Sequence, residues 1–254
     1  MLALRNVVPA PFLAPRFEAA HGAVLFSATL NPPDYYRDLL GLPAATPWLD
    51  VPSPFTAGQL RVRIARHVTT RWDRRDASLA PIARLIAAQY AEAPGHYLAF
   101  FPSFDYLERA HAALRAGAPS LPLRVQSRQM DEAARQAFLD GFDAGGRGIA
   151  FAVLGGVFSE GIDLPGQRLV GAFVVTLGLP QVNPVNDAMQ ARMEALFGTG
   201  HAYAYLYPGL RKVVQAAGRV IRHRDDRGTV WLIDPRYARA DVQALLPAWW
   251  ALDG

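Results

Sequence analysis

A mainly parallel α/β fold is predicted by three observations. Strand-like and helix-like segments alternate along most of the 254 residues. Two stretches, Gly148–Leu154 and Leu169–Thr176, are continuous apolar runs, the pattern of strands covered on both faces. The segments between successive strands are long enough for helical crossovers, which are right-handed in parallel sheets.

Taken in order, Ala23–Leu25 reads as a short apolar strand ending at Ser27-Ala-Thr29-Leu30. Leu60–Ile64 alternates arginine with apolar residues, as a half-exposed strand does. Ser78–Ala91 carries a helical stripe (Leu79, Ile82, Ile86, Tyr90) and stops at Pro94-Gly95. His96–Phe101 is a buried strand, and Phe104–Ala116 a helix stopped by Gly117. Leu123–Gln126 is a short strand. Met130–Phe142 is a helix with Phe138 and Phe142 on one face, closed by Gly145-Gly146. Pro184–Phe197 and Leu210–Arg222 read as helices, Thr229–Asp234 as a last strand, and Asp241–Leu252 as a last helix. The Pro-rich stretch from Asn31 to Pro54 is the one plausible boundary. It divides residues 1–50 from a compact domain over 51–254. The apolar start, Met1-Leu-Ala-Leu, suggests a chain that begins partway through a domain.

Composition narrows the function. The 26 basic and 22 acidic residues give a net charge of +4. No cysteine is present, which removes disulfides, thiol catalysis, zinc–thiolate sites and iron–sulfur clusters from this segment. Apolar runs are too short to cross a bilayer, and no signal peptide is evident, so a soluble, cytoplasmic protein with no membrane partner is expected. Lys212 is the only lysine, and it stands between Arg211 and Val213 rather than before Ser or Thr. The chain therefore lacks a Walker A loop of its own. The six histidines form no ligand-spaced pair, so no metal site is expected.

The strongest motif is Gln215-Ala-Ala-Gly218-Arg219-Val-Ile-Arg222, trailed by Asp226-Arg-Gly228. On a continuous helix, Gln215, Gly218, Arg219 and Arg222 share one face. Two guanidiniums one turn apart suit phosphate oxygens. A solvated basic face is the bland alternative, set aside because glutamine and glycine recur at fixed offsets. The interior glycine costs about 1 kcal/mol relative to alanine, which suggests a close backbone approach. Next comes Gly155-Gly-Val-Phe-Ser-Glu160-Gly161-Ile-Asp163-Leu-Pro-Gly166, directly after an apolar strand. Its carboxylates Glu160 and Asp163 can reach a ribose hydroxyl or order nearby arginines, or can simply be solvated acids at a strand exit. Its serine does not fit the spacing of a nucleophile elbow, so a hydrolase is unsupported. Two hydroxyl-rich strand exits hold Ser27, Thr29 and Ser103, and Ser103 can cap the helix after it. Arg61 and Arg63, continuing to Arg71-Trp72 and Arg74-Arg75, can track a phosphate backbone or merely protect an edge strand.

In this order the motifs resemble the second motor lobe of a superfamily 2 helicase of the DinG/XPD type. Ser27-Ala-Thr29-Leu30 is similar to motif III and Phe101-Pro-Ser103-Phe104 to motif IV. Phe158–Gly166 resembles motif V, and Gln215–Arg222 motif VI. Ser53-Pro-Phe55, Asn186–Glu194 and Asp234-Pro-Arg236 also look like landmarks of that family. The resemblance implies a RecA-like three-layer fold, with residues 1–50 as the tail of a first lobe plus linker. It implies Arg219 and Arg222 as arginine fingers, and Glu160, Gly161, Asp163, Gln215 and Gly218 at the nucleotide. Ser27, Thr29, Ser103, Arg61 and Arg63 would lie along single-stranded DNA, moved 5′ to 3′. ATP and Mg2+ would be held mainly by a first lobe, the missing partner, so this chain alone is expected to be inactive. The competing expectation is a nucleic-acid-binding or protein-interaction module with no ATP turnover.

Overall fold

The computed structural model describes residues 6–143, 145–158 and 169–253. They form two compact units, one of residues up to Pro52 together with Leu179–Arg211, the other of Ser53–Gly178 with Lys212 onward. The sequence reading leaves 179–211 inside the larger domain, whereas the structure groups it with the N-terminal piece.

The first unit holds α1 (Ala10–Ala19), α2 (Pro33–Leu40) and α6 (Pro184–Phe197). Its core is aromatic. Tyr35 meets Tyr36, Tyr203 and Tyr207 edge-on, with ring centroids 5.1, 5.0 and 5.3 Å away. The Tyr203 hydroxyl donates to Asp38 at 2.5 Å, so this core carries no unpaired phenol there. The strand expected at Ala23–Leu25 is absent. Val24 and Phe26 are 87% and 89% exposed, because no neighbouring strand among the described residues pairs with this apolar run.

In the second unit lie β1 (Leu60–Ile64), β2 (His96–Phe101), β3 (Leu123–Val125), β4 (Gly148–Val153), β5 (Gly171–Val174), β6 (Gly228–Leu232) and β7 (Ala251–Asp253). They form one sheet in the order β3-β4-β2-β5-β6-β1-β7, and each pairing is parallel. Helices α3 (Arg75–Glu92), α4 (Phe104–Gly117) and α5 (Glu132–Asp140) supply crossovers. Burial follows the pleat. Tyr97, Ala99, Phe101, Ile149, Phe151 and Phe173 join one core cluster with α3 and α4. The alternate residues Leu98, Phe100, Ala150, Ala172, Val174 and Val230 are just as buried, so both faces are covered.

Two helical expectations are corrected. The segment from Asp241 to Leu252 is helical only as α8 (Ala240–Gln243), and Ala251–Asp253 instead pairs with β1 as β7. Pro247 explains the break, since it lacks an N–H and bars its predecessor from the helical region. The helix expected over Leu210–Arg222 is α7 (Tyr207–Ala217), preceded by a wider turn at Ala202–Leu206. Gly218 N–H makes the last four-residue bond, to Val214 O at 2.8 Å. Arg219 and Val220 then bond back only three residues, to Ala216 O and Ala217 O.

At the start of β2, His96 lies between the Arg124 guanidinium (3.3 Å) and Asp143 (3.1 Å), with its ring tilted 53° to that of Phe142 at 5.2 Å. Burial pushes its pKa down, Arg124 adds to this, and Asp143 opposes both. An imidazole kept neutral when folded binds its proton more readily when unfolded, so its stability contribution is full above the ordinary value of 6.5 and lost as pH falls below it. The melting temperature should therefore drop between about pH 7.5 and 5.5. The drop should be smaller in His96→Gln. An equal drop in both would assign it elsewhere, for instance to His111, which burial also pushes down.

Candidate functional site

Because the strands run parallel, the exits of β1, β2, β4, β5 and β6 reach one rim of the sheet, where ligands of open α/β sheets gather. Of the described residues singled out in the sequence, Ser103 lies at this rim, whereas the segment from Gly218 to Arg222 leads to the opposite end of the strands, where β1 and β6 begin. Ser103 follows β2 and caps α4, accepting Tyr106 N–H at 3.4 Å. Gln215 is half-buried on the last turn of α7, and Gly218, Arg219 and Arg222 follow it.

The shared helical face is not formed. Since α7 stops at Ala217, Gln215, Gly218, Arg219 and Arg222 do not align at helical spacing. Arg219 is 9% exposed and Arg222 is exposed, so the two arginines stand in different environments. A Cβ at Gly218 would meet only its own preceding turn, Val214 O at 3.1 Å and Gln215 O at 3.7 Å, so this glycine reflects helix termination rather than a foreign chain.

What replaces the helix is a pinned loop. Asp226 Oδ2 accepts the backbone N–H groups of both Arg222 and His223 at 2.7 Å. That accounts for the aspartate trailing the motif. From the other side comes Gln59, 6% exposed and immediately before β1. Its amide donates to the carbonyls of His223 (3.3 Å), Arg224 (3.1 Å) and Asp226 (3.5 Å), while its oxygen accepts Thr56 N–H. Sequence reasoning missed Gln59, for these bonds join residues more than 160 positions apart and no local pattern marks them.

After β4 the chain turns at Gly155, with φ +78°, a conformation that favours glycine. The aliphatic arm of Lys212 lies over this turn, so an added Cβ would stand 3.2 Å from its Cδ. Beneath, Gln126 accepts Val153 N–H at 2.8 Å. Glu160, Gly161 and Asp163, the carboxylates and glycine expected at the nucleotide, lie outside the described residues.

Next along the rim, Asp234 follows β6 with no exposure. Its carboxylate accepts Thr70 N–H (3.0 Å) and Oγ1 (2.6 Å), and Arg236 Nε (2.7 Å) and a terminal nitrogen (2.9 Å). Burial pushes this carboxyl up, but the bonds from Arg236 and Thr70 outweigh it and hold it below the ordinary carboxylate range. Nearby, the Tyr237 hydroxyl donates to Thr176 O at 2.5 Å.

Arg61 and Arg63 lie apart from the exits, on β1 itself, and both pair with Glu92, at 3.6 and 3.4 Å. Arg63 also stacks over the Trp231 ring at 5.0 Å. Ser27 and Thr29 belong to the first unit, where they bond each other and Tyr36 donates to Thr29 O at 2.8 Å. Among the described residues no three His, Asp or Glu side chains cluster as metal ligands, and no helix is long and apolar enough to cross a membrane.

Residues 86–252 match the helicase C-terminal domain family. The ATP-dependent DNA helicase chl1 of Aspergillus niger is 28% identical over 214 residues, covering 70% of this chain and 24% of that protein. The general transcription and DNA repair factor IIH helicase subunit XPD of Dictyostelium discoideum is 26% identical over 257 residues, 93% of this chain and 33% of that protein. The chain thus spans about a quarter to a third of these relatives' length. A solved apo XPD structure shares the fold with TM-score 0.71 at 23% identity, covering 86% of this chain and 45% of that one. For S. tokodaii Xpd4 the score is 0.60 at 16% identity, over 84% and 42%. With its parallel RecA-like sheet and this match over residues 86–252, the chain belongs to the helicase C-terminal domain family, as the second lobe of a DinG/XPD-type superfamily 2 helicase.

Proposed function

We propose that this lobe works with a first helicase lobe as an ATP-driven motor on single-stranded DNA, moving 5′ to 3′. The first lobe holds ATP and Mg2+, and this lobe supplies Arg219 and Arg222 to the developing charge on the γ-phosphoryl group. When bound, the metal neutralises phosphate charge. The residues of this chain present donors and order them. Gln215, Gly218 and the Glu160-Gly161-Ile-Asp163 segment link the nucleotide to the nucleic-acid groove, with Ser103 on the strand side.

One observation carries this reading. Arg222 is an exposed guanidinium on a backbone fixed from two sides, by Asp226 and by buried Gln59. A group offered to a ligand held by another body needs that kind of support, since loosely held donors lose much of their effect. The relatives named as ATP-dependent DNA helicases support the same assignment.

The test is reconstitution. Purified alone, the chain should show no ATP turnover; with the first lobe of the same helicase, turnover stimulated by single-stranded DNA should appear. Turnover by the chain alone, or none in any combination while DNA binding persists, would favour a binding module instead.

A further inference from the structure

Between β1 and α3 the chain exposes an indole where burial would be expected. Trp72 is 82% exposed, while Val68 and Thr70 just before it are 2% and 4% exposed. A large aromatic left in water on an ordered segment calls for a reason. The ring is not on a loose tip. Thr70 is tied to Asp234 by two hydrogen bonds, and Trp72–Arg74 forms a tight turn closed by Arg74 N–H to Arg71 O at 2.9 Å. Beyond it, Arg75 lies over the Tyr106 ring at 5.0 Å, and the Ser78 and Tyr106 hydroxyls bond at 2.5 Å. Tyr106 is in the first turn of α4, next to the β2 exit that carries Ser103.

The surroundings are cationic. Residues 61–75 contain six arginines and one aspartate. Arg66 and Arg71 are exposed and have no ion pair among the described residues, unlike Arg61 and Arg63. An exposed flat ring between unpaired arginines suits a polyanion with accessible bases, which means a single strand rather than a duplex.

We propose that Trp72 is a stacking platform for a base of single-stranded nucleic acid, with Arg66 and Arg71 on the flanking phosphates. The assignment rests on the motor-lobe reading above and names a contact that reading does not include. Stacking is sequence-tolerant and adds no counterion release, so its removal lowers affinity without changing salt dependence.

The measurement is anisotropy of labelled oligothymidine titrated with the full chain across a salt series. Trp72→Ala should weaken binding about tenfold, and Trp72→Phe should stay within about threefold of the parent. Duplex affinity and the salt slope should not move, whereas Arg71→Ala should lower the slope by about one. At this exposed site both Trp72 variants should keep the parent's urea-unfolding midpoint. Unchanged affinity in Trp72→Ala, or equal loss on duplex and single strand, overturns the stacking assignment alone. If the parent chain fails to bind strands at all, the nucleic-acid reading of the lobe falls with it. Sedimentation that shows self-association lost in Trp72→Ala, with DNA affinity intact, assigns the ring to a protein contact and also overturns the proposal.

Discussion

With the first helicase lobe present, Arg222→Ala should cut DNA-stimulated ATP turnover by about 10³-fold or more, the range for removing an arginine finger. DNA affinity should change little. Arg222 is the better residue to replace, since it is exposed and its loss leaves the core intact. Arg219, at 9% exposure, mixes a stability cost with any loss of rate. Arg222→Lys should rescue poorly, because an ammonium keeps the charge but not the planar two-pronged donor geometry. Turnover within a few-fold of the parent in Arg222→Ala would remove the finger role. Parallel loss of DNA affinity would place Arg222 on the strand instead.

Asp234→Ala should destabilise the chain by about 3 kcal/mol, read from urea or thermal unfolding. The substitution strands two donors of Thr70, itself 4% exposed, and takes the partner from Arg236. It releases the exits of β1 and β6 together. The pH dependence follows in sign. A carboxyl held below its ordinary value of 3.8 contributes stability in full above that value, and loses it as pH falls through the lower folded-state value. The parent should therefore lose more stability than Asp234→Ala during acid titration below about pH 4. Equal acid sensitivity would show that the carboxyl is not the group responsible.

Much of the fold was legible because its signals are local. Apolar runs and period-two alternation located β1, β2 and β4, and Asn183-Pro184 marks the start of α6, which the structure caps through the Asn183 side chain. The failures share a cause. Helical spacing of apolar residues continues past Gly218 and past Pro247, yet the helices end at Ala217 and Gln243, ahead of these residues, and a periodicity argument gives glycine and proline too little weight. The residues from Gln215 to Arg222 therefore do not form the helical face that their spacing predicts. Gln59 and Thr70 were invisible for another reason. Their partners lie some 164 positions away, and only the parallel register of β1 with β6 brings them together. Asp226 was legible as part of a motif, while its job of holding two backbone amides was not.

The lysine over the Gly155 turn has a practical use. With one side-chain amine in the whole sequence, acylation mapped to the Lys212 peptide, apart from that of the terminal α-amine, reports from a known address beside the β4 exit. Its rate of acylation can follow, without engineered cysteines, whether nucleotide or a partner lobe shields that corner of the motor.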